Sequence, residues 1–404
     1  MSHDDGISNP SKNRPFHDVL AVNLDRRKVL RGGLATAVTA FFATPVVSLA
    51  AKGGLKGPNP GKAFAPLVGF SPVTLGMANA PDYDGKQPLI SPDYEYQTII
   101  SWGDKLYPSA PVTPYDGDPT RRPDPFDQQY LIGIGHDGMT FFARDGKSNA
   151  EGMLCINHEF GSNFHVLGYS DPQSMADVLL SQHAHGVSVV ALKAVDGKWQ
   201  TADSPNARRI HVNTPVTFSG PVAGTEYIDT PAGNAPAGTV NNCSNGETPW
   251  GTYLTCEENF NGYFGARGAW TPTEGQTRYG FRTNGFGYGW HLFDDDRSRR
   301  FDLSNPDYRN EENRFGWVVE IDPHDGSQVP VKRTALGRFK HEGVAFAVGR
   351  GGRAVCYMGD DEAYDYIYKF VSERNWKAMR AQGLSPLDHG RLYVAKFNDD
   401  GTGD

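Results

Sequence analysis

The sequence predicts an all-β protein, specifically a β-propeller with irregular insertions. Short strand-like runs recur along the chain, Asp-Gly turns separate several of them, and 47 glycines with 28 prolines break up long helices. Asp-Gly pairs between apolar runs are a strong hairpin signal. Repeated hairpins without helical crossovers are typical of a propeller, and a two-sheet sandwich is the alternative architecture.

The strand-like runs begin near residue 140. Residues 140–143 precede a turn at Asp145 and Gly146, and residues 187–192 precede one at Asp196 and Gly197. β-Branched and aromatic residues dominate these runs, which favours strands. The other runs are residues 153–156, 251–256, 317–321, 344–347, 354–358, 367–370 and 392–397. Two short helices are expected, at residues 175–183 and 373–382.

The chain divides into three expected regions. Residues 1–51 read as an export signal, residues 52–130 as an extended arm followed by an irregular Pro-rich segment, and residues 131–404 as a propeller domain. The last strand-like run is followed only by a polar turn. A propeller stopping there would leave an unpaired edge, so we expect a C-terminally truncated chain with an incomplete ring.

The N-terminal segment predicts export. Arg26 and Arg27 precede an apolar stretch of small residues, 32–51, that ends in a small-residue cleavage site. This pattern resembles a twin-arginine signal. It predicts a periplasmic or secreted protein that meets the twin-arginine translocase during export. The alternatives are a membrane anchor and a buried helix, but the stretch is short for a span and contains threonines and a proline.

Charge and motifs exclude several classes of function. The chain has 47 acidic and 39 basic residues, a net charge of −8, which is the wrong sign for a general nucleic-acid binder. It contains no GxSxG elbow, phosphate-binding loop, HExxH motif or EF-hand loop. A serine hydrolase or nucleotide enzyme therefore has no positive support.

Polar clusters at strand ends predict a metal site. They occupy residues 157–159, 241–259, 340–343 and 359–362. Carboxylates at strand ends can converge on the channel of a propeller, where they suit calcium, magnesium or manganese, and a thiolate among them favours a transition metal. Cys243 is the best thiol candidate because it lies in a polar, Gly-containing loop. Glu257 and Glu258 alternate in direction, so only one of them is expected to be a ligand.

Each candidate has a structural alternative. Cys155, Cys256 and Cys356 are expected to be buried small side chains or to include one disulfide. His341 is more often a hydrogen-bonded structural residue than a ligand. The acidic residues 360–362 are equally consistent with a solvated turn.

Three segments, together with the leader, resemble the PhoX-type alkaline phosphatases. They are Cys-Ile-Asn-His-Glu-Phe at 155–160, the long block at 242–259, and Gly-Arg-Phe-Lys-His-Glu-Gly at 337–343. The resemblance extends from about Trp102 onward. It implies an exported, monomeric β-propeller that hydrolyses phosphate monoesters with calcium and iron (Fe³⁺) in its channel.

The resemblance also implies roles for individual residues. Cys243 corresponds to the iron-binding thiolate, and Lys340 is placed to contact a phosphate oxygen. The remaining metal candidates are Glu258 or Glu257, Glu342, Glu159 and Asn157. One departure is that His136 precedes Asp137 where the family pattern has an asparagine, which puts that phosphate contact in question. A second is the absence of a later Asp-Arg-Pro-Glu stretch. If those residues complete the metal cluster, the chain as given is expected to be inactive.

Two other functions remain open at this stage. One is a calcium-dependent propeller hydrolase such as a lactonase, which needs carboxylates but no thiolate. The other is an exported, non-catalytic binding propeller in which the acidic loops only bind structural calcium.

Overall fold

The computed structural model describes residues 71, 88–398 and 402–403. The predicted signal, residues 1–51, lies outside the described residues, as do residues 52–70 and 72–87 of the predicted arm and Pro-rich segment. Of two compact units, the one that contains residues 99–396 holds every strand and helix named below. The other includes residues 88–98, where Ser91 and Asp93 accept hydrogen bonds from the backbone of Ser71.

Three β-sheets dominate the described structure. They are antiparallel except where β6 pairs with β10. The first sheet contains β1 (His136–Ala143), β2 (Glu151–His158), β3 (Gly186–Val195) and β4 (Lys198–Ala202) in that order, with β5 (Arg208–Ile210) beside β3. The second contains β6 (Thr217–Ser219), β10 (Val331–Arg333), β9 (Val318–Ile321), β8 (Tyr253–Glu257) and β7 (Asn242–Glu247). The third contains β11 (His341–Val348), β12 (Arg353–Asp360), β13 (Ile367–Asn375) and β14 (Gly390–Val394).

Short helices fill the connections. The α-helices are α1 (Asn163–Leu167), α2 (Met175–Ala184), α3 (Glu274–Arg278), α4 (Asp296–Arg299) and α5 (Trp376–Ala381). The 3₁₀ turns are Pro119–Arg121, Asp127–Tyr130, Phe260–Tyr263, Pro306–Tyr308, Glu311–Arg314, Thr334–Leu336 and Arg350–Gly352. No helix among the described residues is both long and apolar enough to cross a membrane.

The observed secondary structure is mostly β-sheet, as the sequence predicts. Every predicted run overlaps one of the strands, and the helix expected at 175–183 is α2. A capping box begins this helix, since Ser174 accepts from the backbone N–H of Asp177 and the Asp177 carboxylate accepts in return. The helix expected at 373–382 is shorter, because β13 continues to Asn375. The Asn375 side chain then caps α5.

Apolar cores hold the sheets together. Phe142, Cys155 and Val189 of the first sheet pack with Tyr253 and Val319 of the second. A second core joins the second and third sheets, and its buried members include Leu254, Cys256, Val318, Val344, Cys356 and Met358. The long insertion between β8 and β9 has its own aromatic core, which contains Phe260, Phe264, Trp290, Phe301 and Phe315. β7 of the second sheet lies beside both β1 of the first and β11 of the third.

Candidate metal centre

Three hairpins share one irregularity at their open ends. In β1–β2, β7–β8 and β11–β12, two residues near the start of the first strand face one residue near the end of the second. The pairs that flank this bulge are His136–His158 and Met139–Ile156, Asn242–Glu257 and Asn245–Thr255, and His341–Asp360 and Val344–Met358. A bulge bends a strand and redirects its side chains. Each hairpin therefore presents one residue from its bulge and one from just beyond its second strand.

These two positions carry a thiol or a carboxyl group in all three hairpins. They are Asp137 and Glu159, Cys243 and Glu258, and Glu342 and Asp361. One candidate ligand atom from each of Asp137, Glu159 and Cys243 lies within 4.8 Å of the others, and the same holds for Cys243, Glu258 and Glu342. Asp361 is hydrogen-bonded to Glu258 and Glu342. We call these six residues the acidic cluster.

A glycine lets the first two hairpins approach. A Cβ atom at Gly138, in the β1 bulge, would lie 2.9 Å from the carbonyl oxygen of Cys243 and 2.6 Å from Oδ1 of Asn245. Contacts that short do not occur between real side chains and backbone, so any larger residue would push β7 away. The Tyr253 hydroxyl also donates to the Gly138 carbonyl at 2.9 Å. The bulge of β1 is thus fixed against the strand that carries the thiol.

Crowding and burial raise the pKa values of four members of the cluster. Burial, followed by the charge of Asp137, raises the pKa of Glu159 to about 7. Burial, followed by a hydrogen bond with Asp361, raises the pKa of Glu258 to about 9. Burial and the charge of Asp361 raise the pKa of Glu342, and burial and the charge of Glu258 raise the pKa of the Cys243 thiol. Together these shifts mean that the groups resist ionising side by side.

The cluster offers the ligand atoms of a metal site, and no basic side chain of the described residues neutralises it. Among the described residues, no lysine, arginine or histidine forms an ion pair with its five carboxyl groups. Cys243 is 7% and Glu258 3% exposed, so water screens them poorly. Carboxylate oxygens suit hard divalent cations, and a thiolate adds affinity for a transition metal. The residues present therefore fit a metal centre.

The structure separates the two neighbouring glutamates. Glu258 belongs to the acidic cluster, whereas the Glu257 carboxylate points to the other side of β8 and is fully buried. Its two oxygens accept from the Lys332 ammonium at 2.7 Å and from the backbone N–H groups of Gly316 and Trp317 at 3.0 Å. Alternation in the strand thus leaves one of the pair for the cluster, and that one is Glu258.

Two other residues suggested by the sequence lie beside the cluster. The Asn157 side chain is fully buried and donates to the carbonyl oxygens of Cys243 and Ser244. The Lys340 ammonium is ion-paired with Glu362. The backbone carbonyl of Lys340 accepts from the N–H of Asp361 at 3.0 Å, so this lysine is attached to the loop that carries a cluster carboxylate.

Comparison with known proteins identifies the family. A model described as "Alkaline phosphatase PhoX" matches residues 76–404. The chain belongs to the PhoX family. A solved structure, Pseudomonas fluorescens PhoX in complex with vanadate, a transition state analogue, is 43% identical with a TM-score of 0.68. The match covers 76% of this chain and 52% of the other, so this chain spans about half the length of that PhoX. No curated protein matches it.

Two members of the cluster were not among the site residues expected for a PhoX-type sequence. The sequence marks Asp137 only as the residue that follows the departure at His136, and Asp361 only as part of an acidic turn. A signal for the first was present, because His136-Asp137-Gly138 repeats the residue types of His341-Glu342-Gly343. The equivalent bulges show that this likeness reflects the same structural position in two hairpins.

The four cysteines of this PhoX-family chain are all free thiols. Cys155, Cys256 and Cys356 are fully buried in apolar cores, which is the structural use expected of most of them. Of the four, only Cys243 belongs, within the described part of the chain, to a group of thiol and carboxyl ligand atoms that could hold a metal ion, and its thiol is hydrogen-bonded to Asp137 and Glu258. Cys243 thus differs in its environment from the other three cysteines, which pack in apolar cores.

Proposed function

We propose that this chain is an exported, metal-dependent alkaline phosphatase that hydrolyses phosphate monoesters at the acidic cluster. The observation that carries the proposal is the cluster itself, in which five carboxyl groups and a thiol converge without a basic partner among the described residues. Membership of the PhoX family supports it. So does the bound vanadate of the Pseudomonas fluorescens relative, named there as a transition state analogue.

The donor set favours calcium and iron (Fe³⁺) as the metals. Cys243 supplies the soft ligand that selects a transition metal, and Glu258 adjoins it. The other carboxylates, Asp137, Glu159, Glu342 and Asp361, are hard oxygen ligands of the kind that calcium takes in flexible arrangements. Glu257 is committed to Lys332, and Asn157 to the backbone of β7, so neither is part of the proposed ligand set.

Each residue has a defined task in this proposal. Bound cations would neutralise the oxygens of a phosphate monoester and lower the pKa of a coordinated water. The cluster residues hold them at the junction of three hairpins. Lys340 offers its ammonium to a phosphate oxygen when the ion pair with Glu362 opens. A covalent serine nucleophile is not required.

The proposal extends to the architecture and to export. The three sheets are interpreted as blades of a β-propeller domain within residues 131–404, and β7 lies next to both β1 and β11 as innermost strands would. Residues 1–51 would act as the twin-arginine signal, recognised by its translocase, and residues 52–130 as the arm and irregular segment. The product would be a periplasmic or secreted monomer.

The test uses the full-length protein purified from its exported pool. We expect calcium and iron by elemental analysis, together with hydrolysis of p-nitrophenyl phosphate that chelation abolishes. Cys243→Ala should lower the activity about 100-fold or more, because changes that only surround a metal ligand already cost 10–100-fold. Cys356→Ala, which removes a thiol from an apolar core, is the matched control and should keep the activity.

Other outcomes would point elsewhere. Calcium without iron, with turnover of lactones, would replace the proposal with a calcium-dependent hydrolase. Full metal loading without turnover of any phosphate ester would indicate a binding protein. Unchanged phosphatase activity after both chelation and Cys243→Ala would rule out the metal mechanism.

A further inference from the structure

Asn157 occupies a position that links two members of the acidic cluster. It lies on β2, two residues before Glu159, which follows the end of that strand. Its Nδ2 donates to the carbonyl oxygen of Cys243 at 2.6 Å and to that of Ser244 at 3.0 Å. Both carbonyls belong to the bulge of β7. One amide therefore ties the strand leading to Glu159 to the loop that carries the thiol.

A chain of buried hydrogen bonds fixes the orientation of this amide. Asn242 Nδ2 donates to the hydroxyl of Thr255 at 2.9 Å, and that hydroxyl donates to Oδ1 of Asn157 at 2.8 Å. Asn242 Nδ2 also donates to the hydroxyl of Thr239 at 2.8 Å. All four residues are fully buried. Because the hydroxyl proton of Thr255 is given to Oδ1, the NH₂ group of Asn157 must face the two carbonyls.

We propose that Asn157 is a positioning residue, which sets the separation of Cys243 and Glu159 and does not itself bind metal. This inference rests on the proposed metal centre. Both N–H groups of the amide are used on the bulge, and its oxygen is turned towards Thr255. The hydrogen-bonded chain crosses from the second sheet to the first, so it fixes the two hairpins relative to each other where their ligands meet.

The substitution Asn157→Asp separates positioning from ligation. A carboxylate is a better ligand than an amide for calcium or iron, so a ligand role predicts that Asp retains or strengthens metal binding. A positioning role predicts the opposite, because the carboxylate would face two carbonyl oxygens, and even when protonated it has one proton for two acceptors. We expect metal affinity to fall by about 10–100-fold.

Asn163→Asp is a closely matched control. Asn163 is also buried, its Nδ2 donates to two backbone carbonyls at 2.9 Å, those of Ser170 and Tyr288, and its Oδ1 accepts from a hydroxyl, that of Ser181. It makes no hydrogen bond with the acidic cluster. A milder variant, Thr255→Val, removes the hydroxyl that orients Asn157, and it keeps the test open should Asn157→Asp fail to fold.

Two measurements on the full chain decide the matter. The first is calcium and iron affinity. The second is the rate at which iodoacetamide alkylates Cys243 after chelation, read by mass spectrometry, since the other three cysteines are fully buried. We expect Asn157→Asp to weaken affinity and to speed alkylation several-fold, Thr255→Val to do both less strongly, and Asn163→Asp to do neither.

Two results would overturn the inference. One is wild-type affinity and alkylation in Asn157→Asp. The other is an equal response of the Asn157 and Asn163 variants, which would reduce the effect to general destabilisation. Absence of bound iron in the wild type would contradict the proposed function alone, because the alkylation rate is measured without metal.

Discussion

Buried charge is compensated in different ways on the two sides of the segment formed by β8 and the residue that follows it, Glu258. On one side, Glu257 accepts from Lys332, and a neighbouring carboxylate, Glu311, is paired with Arg300 and Arg314. On the other side, Glu258 lies among carboxyl groups and a thiol with no basic partner among the described residues. A buried charge is costly unless it is paired, so each side needs cations.

This contrast distinguishes buried acids that are paired within the fold from buried acids that remain available to bind a cation. On the first side the chain supplies its own cations, and the ammonium of Lys332 also donates to the Arg314 carbonyl at 2.6 Å and lies 4.2 Å from the Phe315 ring centre. On the second side the compensation is protonation, which the raised pKa values of Glu159 and Glu258 express. Of these two adjacent residues, Glu257 is thus compensated by a lysine of the chain, whereas Glu258 is proposed to be compensated by an external cation.

The sharpest test exchanges each of the two glutamates for its amide. Glu257→Gln should destabilise the fold by about 3–5 kcal/mol, because it leaves the fully buried Lys332 ammonium without its counter-charge. Glu258→Gln should leave the stability of the metal-free protein equal or higher, while metal content and phosphatase activity fall steeply. Urea unfolding with chelator present and elemental analysis without it measure the two effects.

The two variants are controls for each other, since each replaces a carboxylate by an amide of equal size and the two positions are adjacent in the chain. If Glu257→Gln lost its metal while remaining stable, the assignment of structural and ligand roles would be reversed. If both variants lost stability equally in the metal-free state, the contrast between the two sides of β8 would have no energetic meaning.

Much of this contrast is beyond what the sequence reveals. The strand runs follow from the order of residues and from the family resemblance, as do Cys243, Glu342 and one member of the pair Glu257 and Glu258 as candidate ligands. The choice between Glu257 and Glu258 does not, because it depends on Lys332, a residue 75 positions away. Asp137 was not predicted as a site residue because strand periodicity fails at a bulge, where an inserted residue changes the direction of the side chains that follow. Asp361 follows the end of β12, in an acidic segment that is equally typical of a solvated turn.

The second test uses pH. Glu159 and Glu258 have pKa values raised from 4.5 to about 7 and about 9, mainly by burial. A raised pKa in the folded state stabilises below the unfolded value and is lost as the pH rises through the folded value. The metal-free protein should therefore lose stability between about pH 4.5 and pH 9. The slope should be about 1.4 kcal/mol per pH unit for each retained proton.

Comparison with the metal-loaded protein isolates the cluster from other titrating groups, such as the buried histidines. Bound cations replace the protons, so the loaded protein should show a flatter dependence over the same range. The difference between the two urea-unfolding curves should shrink in Glu258→Gln and persist in Glu257→Gln. Parallel curves with and without metal would show that the raised pKa values have no connection with cation binding.

The smallest expected effect concerns a charge pair at the edge of the cluster. Lys340 is 5% exposed and paired with Glu362, yet it is joined through its backbone to Asp361. If its ammonium contacts the substrate, Lys340→Met should raise KM for p-nitrophenyl phosphate about tenfold, the scale of one hydrogen bond to a charged group, with kcat and metal content nearly unchanged. Glu362→Gln frees the same ammonium and should lower KM or leave it unchanged. If the pair only stabilises the loop, both variants should lose stability and neither should change KM. Lys340 and Glu362 would then form a structural ion pair, as Lys332 and Glu257 do.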